Sequence, residues 1–180
     1  MNKTYKMPQG GGMPTPNQTE KSVKGFLVSK TDTKGKILYC NEEFIAISGY
    51  SEKELLGKPH SIVRHPNMPR TIFKYLWWRI AQGKEVNAYV KNLAKDGSFY
   101  WVFANISPSF TNGNTIVAYN SVRRKPSKNG LEFAKNFYAE LKKVEQGGID
   151  AGHAWFVEYF QSRGIRYEKA VLCWQVDDMC

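Results

Sequence analysis

The hydrophobic positions that follow residue 24 first recur with the spacing of β-strands. Residues 25–29 and 36–39 are short runs of this kind, and residues 31–35 between them are rich in turn-forming side chains. Two such runs on either side of a turn-rich segment indicate a β-hairpin.

Between residues 41 and 83 the hydrophobic positions take helical spacing instead. Asn41 and Ser51 can each cap a short helix, and Pro69 suits the first turn of a longer helix that Gly83 ends. The spacing places four residues on one face of the longer helix: Phe73, Leu76, Trp77 and Ile80.

After Gly83 the period falls to two. Residues 86–93, 98–110 and 115–119 alternate as strands do, and an Asp-Gly pair and an Asn-Gly pair separate them. Both pairs favour the tight turns of hairpins. The order of elements therefore predicts an α+β fold with a five-stranded antiparallel sheet and short helices on one face.

The rest of the chain differs from this domain in composition. Residues 1–22 are rich in Gly, Pro, Asn and Gln, which predicts a flexible N-terminal tail before a domain at 23–123. Residues 124–130 read as a basic linker, and residues 131–180 as a helical C-terminal extension. Residues 131–144 and 151–162 have amphipathic helical patterns, whereas 167–174 fit either a helix or an extended segment.

Charge, cysteine content and the absence of long apolar stretches indicate which partners and which cellular compartment to expect. The net charge is +10, but the basic residues are scattered and no nucleic-acid motif accompanies them, so we expect no nucleic-acid partner. Three cysteines, Cys40, Cys173 and Cys180, do not make a disulfide framework. No signal peptide and no apolar stretch of about 20 residues is present, so a cytoplasmic protein is expected.

Two groups of motifs resemble a known family. Asn-Glu-Glu-Phe at residues 41–44 and the segment 48–57 resemble the general signature of PAS domains. Residues 59–69, Trp77, residues 90–97 and residues 100–102 resemble the flavin-binding PAS domains of bacterial aerotaxis receptors. The resemblance extends from about residue 25 to residue 122.

The resemblance implies that FAD lies between the sheet and the helices. The positions that match the cofactor-holding residues of that family are Arg64, His65, Trp77 and Asn92. Asn67 stands where the aerotaxis receptors carry an aspartate, which puts any role that needs a carboxylate in doubt. His60 lies in the same motif and completes the candidate cofactor-binding set.

Each candidate also has an ordinary structural interpretation. Arg64 can pair with phosphate oxygens or form an exposed salt bridge, and His65 can bond the cofactor or cap a turn. Trp77 can stack on a ring or belong to the core, and Asn92 can bond a flavin edge or a neighbouring strand. His60 and His65 lack the further ligands that a metal site needs, so we expect no metal.

The resemblance implies a non-enzymatic redox or energy-taxis sensor that signals to a separate, membrane-bound, HAMP-containing methyl-accepting chemoreceptor. That partner would recruit it to the inner membrane face, and a homodimer is consistent with the family. Three alternatives stay open: a cofactor-free PAS adaptor or dimerisation module, a flavoenzyme, and a domain that binds a small metabolite or haem. A light-driven cysteine adduct is not expected, because Cys40 does not occupy the position of the photosensing thiol.

Overall fold

The structure is a computed structural model that describes residues 14–176. It contains five strands and six helices, with two short 3-10 turns at His60–Val63 and Glu145–Gly147. The strands are β1 Leu27–Thr31, β2 Ile37–Cys40, β3 Val86–Leu93, β4 Phe99–Phe110 and β5 Ile116–Arg124. The helices are α1 Glu42–Ser48, α2 Glu52–Leu55, α3 Arg70–Ala81, α4 Lys128–Val144, α5 Ile149–Gln161 and α6 Tyr167–Val176.

The strands form one antiparallel sheet in the order β2-β1-β5-β4-β3. The predicted five-stranded antiparallel sheet is therefore confirmed. Since side chains alternate across a strand, the register separates two sets of residues. The inner face, toward α1–α3, carries Ser29, Arg123, Ala104 and Ala88, and the outer face carries Phe103 and Trp101.

Local signals explain how α1 begins and ends. The side chain of Asn41 accepts hydrogen bonds from the backbone N–H groups of Phe44, at 3.2 Å, and Val28, at 2.8 Å, so it ties the helix to β1. Gly49 ends α1 at φ 71°, a left-handed conformation that glycine adopts without strain. The inner core beneath includes the fully buried side chains of Phe44, Leu55 and Ile72.

The C-terminal extension covers the outer face of the sheet. Tyr138 on α4 donates a hydrogen bond to the backbone carbonyl of Tyr89 at 2.8 Å, and its ring stacks on Trp101. Phe137 lies at the centre of an aromatic cluster made by the three C-terminal helices, with Trp155, Tyr159, Phe160 and Trp174 around it. The segment that fitted either a helix or a strand is helix α6.

Two predicted boundaries differ from the structure. Of the predicted tail, residues 1–13 lie outside the described part, whereas residues 14–22 are held along the β3–β4 hairpin. Asn17 N–H donates to the carbonyl of Gly97 at 2.7 Å, and Lys21 N–H donates to that of Phe99 at 2.8 Å. Backbone hydrogen bonds thus compensate for the low hydrophobicity of this segment. The predicted basic linker shrinks to residues 125–127, because β5 includes Arg124 and α4 begins at Lys128.

Within residues 14–176 no helix combines the length and the apolar character that a membrane span requires.

Candidate functional site

A buried polar cluster lies in the inner layer, which is the region between the inner face of the sheet and helices α1–α3, where β1 and β5 face the 3-10 turn before α3. The side chain of Arg123 is 5% exposed, and its Nη2 donates to Ser29 Oγ at 3.0 Å and to His60 Nε2 at 2.7 Å. The guanidinium also lies over the ring of Phe44, 5.3 Å from its centroid. Burial lowers the pKa of Arg123 to about 10, so the group stays charged at neutral pH.

His60 enters this cluster as a neutral acceptor. An arginine N–H can only donate, so Nε2 of His60 accepts and the ring proton belongs on Nδ1. Burial, and then the charge of Arg123, lowers the pKa of His60 to about 3. Ser29 Oγ lies 3.1 Å from the same nitrogen and completes the triangle.

Several buried polar atoms on the inner face of the sheet have no hydrogen-bond partner within the described residues. They are Arg123 Nη1, Tyr100 OH, Ser121 Oγ and Asn92 Nδ2. Asn92 pairs with Tyr100 across β3 and β4, and Ser121 lies two residues before Arg123 on β5, so all four belong to the inner face. Unsatisfied buried donors are rare in folded proteins, and a bound ligand is one physical reason for them.

Arg64 lies at the border of the inner layer, next to Asn92. The two residues form an isolated antiparallel bridge at the β3 edge, and the Arg64 guanidinium lies over the ring of Phe73 at 3.9 Å from its centroid. Phe73 is in the first half of α3, so Arg64, Asn92 and this helix meet at one end of the inner layer.

Trp77 lies at the opposite end of the same layer. Its ring meets that of Tyr119 edge-on at 5.7 Å, and it packs so closely on Gly35 that a Cβ atom there would lie 2.9 Å from the ring. Trp77 is half-buried, whereas its neighbour Trp78 is 56% exposed. The predicted inward position of Trp77 on α3 agrees with these contacts.

His65 and Asn67 do not join the inner cluster. The His65 ring packs against Phe99, and burial followed by the charges of Lys91 and Lys142 lowers its pKa to about 4. These neighbours belong to the outer side of the sheet and to α4. His65 Nδ1 accepts from the backbone N–H of Asn67 at 3.1 Å, so His65 has the turn-capping interaction, and the side chain of Asn67 is exposed.

The structure therefore divides the predicted set. His60, Arg64, Trp77 and Asn92 border the inner layer, while His65 and Asn67 lie outside it. Sequence reasoning missed the hydroxyls and the arginine that the strands add: Ser29, Tyr100, Ser121 and Arg123. Ser29 shares the buried face of β1 with Leu27 and Thr31, and Arg123 shares the buried face of β5 with Ser121, so the period of two offered a partial signal for the two serines.

The residues of the inner layer fit the chemistry of a flavin. The unpartnered N–H and O–H groups match the acceptor-rich polar edge of its ring, and Ala88 and Ala104 leave a floor of small side chains opposite Arg123. Cys40 is buried, and its thiol pKa is raised by burial and by Glu52, which is the setting of an unreactive cysteine.

A groove of about 410 Å³ lies on the outer side of the sheet, away from this cluster. Its lining includes Phe26, Val122, Arg124 and Leu172, and none of the predicted cofactor residues.

Comparisons with known proteins give the fold and its relatives. Residues 37–123 match the model of the PAS fold family. The aerotaxis receptor of Escherichia coli K12 is 36% identical over 127 residues, which make up 67% of this chain and 25% of the receptor. The bacterioopsin transcriptional activator of Halobacterium salinarum is 29% identical over 89 residues, or 49% of this chain and 13% of the activator. This chain thus spans a quarter or less of these relatives.

The light-state structure of the blue-light photoreceptor Aureochrome1 LOV has the same fold. It superposes with a TM-score of 0.56 at 21% identity, and the match covers 61% of this chain and 88% of that one.

Proposed function

We propose that this chain, whose residues 37–123 belong to the PAS fold family, is a redox sensor that binds FAD in the inner layer. It signals to a separate membrane-bound, HAMP-containing methyl-accepting chemoreceptor and does not catalyse a reaction itself. The similarity to an aerotaxis receptor over 127 residues supports a role in sensing.

One observation carries the cofactor part of this proposal. Four buried donor groups on the inner face lack a partner within the described residues, and one of them, Asn92 Nδ2, belongs to a position that the resemblance connects with FAD. A domain that only needed a packed core would gain stability from apolar residues at these positions. A ligand with acceptor atoms supplies the missing hydrogen bonds.

FAD, when bound, supplies a ring that accepts electrons and changes its protonation as it does so. Asn92 holds the polar edge of that ring through its amide, and Trp77 closes the opposite end of the layer. Arg64 lies at the border of the layer, where a phosphate can meet its guanidinium from the solvent side.

Asn92 is also well placed to pass on a change. It lies on β3, where Tyr89 and Lys91 point to the opposite face of the sheet, and the carbonyl of Tyr89 accepts the hydrogen bond from Tyr138 on α4. A rearranged hydrogen bond at Asn92 shifts β3 and thereby the C-terminal helices that rest on it. The partner must bind the two resulting states with different affinity for a signal to exist.

The first test is the visible spectrum of the purified protein and the identity of any chromophore that denaturation releases. We expect FAD, and we expect Trp77→Ala to reduce FAD content strongly while the matched change Trp78→Ala, on the exposed side of α3, leaves it unchanged. A colourless protein that takes up no added FAD would favour the cofactor-free adaptor instead.

The second test addresses the partner. The oxidised and the dithionite-reduced protein are each used to capture solubilised membrane proteins, and HAMP-containing chemoreceptors are quantified by mass spectrometry. The proposal requires unequal recovery from the two samples, so equal recovery contradicts the signalling step.

A further inference from the structure

The inner layer contains a positive charge without a negative partner. Arg123 is 5% exposed, yet none of the ion pairs within residues 14–176 includes it. Its bonds go to a hydroxyl and to a neutral imidazole, and Nη1 has no hydrogen-bond partner there. A buried charge that is left unpaired costs several kcal/mol, so folding alone gives no reason to keep an arginine here.

Among the described residues, none of the groups around Arg123 carries a negative charge. His60 faces it from the 3-10 turn, Tyr100 from β4, and Ser29 and Ser121 from β1 and β5. No carboxylate of the described residues contributes to the pKa of Arg123, and Tyr100 stays protonated because burial raises its pKa. The cluster is therefore complementary to an acceptor group that carries negative charge.

We infer that Arg123 is the counter-ion for the anionic form of the reduced cofactor, an inference that rests on the proposed FAD-binding function. When dithionite delivers two electrons, the oxidised ring takes up one proton, at N5, and gains one negative charge. Arg123 balances that charge, so N1 of the ring stays without the second proton. His60 stays neutral and continues to accept from Arg123, which keeps the guanidinium directed into the layer.

The neighbouring residue provides a matched control. Arg124 follows Arg123 on β5 but points to the other face, where its guanidinium lies 5.3 Å from the ring centroid of Phe103 and is exposed. Arg123→Gln and Arg124→Gln remove the same charge from adjacent positions, one inside the domain and one outside. Arg123→Lys keeps the charge and serves as the rescue variant.

The experiment loads the full chain with FAD, reduces it with dithionite, and titrates N1 of the ring by absorption from acid to neutral pH. An opposite charge within about 4–6 Å shifts a pKa by one to three units, so Arg123→Gln should lower the acid dissociation constant of N1 by about 10-fold to 1,000-fold. Arg124→Gln should leave it unchanged, and Arg123→Lys should retain most of the effect.

Stability of the apoprotein separates this role from a structural one. Removal of an unpaired buried charge should leave the urea midpoint of apo Arg123→Gln equal to that of the wild type or above it. Two outcomes would refute the counter-ion role of Arg123: unfolding of apo Arg123→Gln, or FAD-loaded Arg123→Gln whose N1 dissociation constant equals that of the wild type. Either outcome leaves the sensor proposal intact. If the wild type takes up no FAD, the proposed function fails and the inference fails with it.

Discussion

Glu145, a residue of the C-terminal extension, caps the N-terminus of α3 from 74 positions away along the chain. Pro69 is the cap residue of α3 and has no side-chain acceptor to offer. The carboxylate of Glu145 takes this role, accepting from the backbone N–H of Arg70 at 3.0 Å and of Thr71 at 2.6 Å. We predict that Glu145→Ala destabilises the whole domain.

The magnitude follows from the two bonds. Loss of an N-terminal cap costs about 0.5–2 kcal/mol, and loss of a negative charge at this end of a helix costs a further 0.3–1 kcal/mol or so. Thr71 is fully buried, so water cannot replace the lost acceptor there. We therefore expect Glu145→Ala to lower the free energy of unfolding by about 2 kcal/mol, and Glu145→Gln by roughly half as much.

The assay is urea unfolding followed by circular dichroism at several salt concentrations. With a slope of about 2 kcal/mol per molar urea, the midpoint of Glu145→Ala should fall by roughly 1 M. Glu140→Ala is the matched control, because Glu140 is exposed on α4 and its substitution removes the same charge. Equal midpoints for the Glu145 and Glu140 variants would refute the cap.

Gly152 on α5 gives an independent check of the same contact. A Cβ atom there would lie 2.7 Å from Cγ of Glu145 and 2.7 Å from Oγ1 of Thr71. Helix propensity alone predicts that Gly152→Ala gains about 1 kcal/mol, whereas displacement of the Glu145 side chain predicts a loss. The loss should shrink in a Glu145→Ala background, and a double-mutant cycle measures that coupling.

Three further predictions concern pH and packing. The folded-state pKa of His65 is about 4 and that of an unfolded histidine about 6.5; the contribution of His65 to stability is therefore complete above pH 6.5 and lost as the pH falls toward 4. The urea midpoint of the wild type should therefore fall between pH 7 and pH 5. The midpoint of His65→Asn, which keeps an acceptor for the Asn67 N–H, should fall less over the same range. An equal fall in the two proteins would count against this linkage. Burial raises the pKa of Tyr100, so alkaline titration followed by absorbance at 295 nm should show this tyrosine ionising only as the protein unfolds. Tyr100→Phe should remove its share of the absorbance change at unfolding. Ionisation of Tyr100 while the circular dichroism is still native would contradict its burial. Gly130→Ala should lower the melting temperature, because the new Cβ atom would meet Tyr89 OH and lie 2.7 Å from Ser127 Oγ. The control Gly113→Ala, at an exposed position, should leave the melting temperature nearly unchanged. Equal melting temperatures for the two variants would show that α4 moves aside without cost.

The sequence was sufficient to predict the sheet, because runs of strand-forming residues are separated by turn residues and Gly97 marks the turn between β3 and β4. The family resemblance, rather than the pattern, implied that Trp77 and Asn92 border one cavity. The sequence could not place His65, because the loop before α3 turns that side chain around the β3 edge, and only the tertiary contact with Phe99 shows the direction. Arg123 was hidden for a related reason, since an arginine beside another arginine near the end of a strand reads as a solvated pair.

Helix α3 contacts both the inner layer and the C-terminal helices. It can therefore transmit a structural change from the inner layer to those helices. The inward side of α3 carries Leu76 and Trp77, while Tyr75 donates a hydrogen bond to Glu168 of α6 and Arg79 forms an ion pair with the same carboxylate at 3.1 Å. A shift of α3 relative to the sheet therefore strains two contacts with α6 and the cap made by Glu145. Since interfaces of packed helices have discrete arrangements rather than a continuous range, such a shift favours a second position of the C-terminal helices. Under the proposed sensing function, a partner that contacts those helices would distinguish the states without reaching the inner layer.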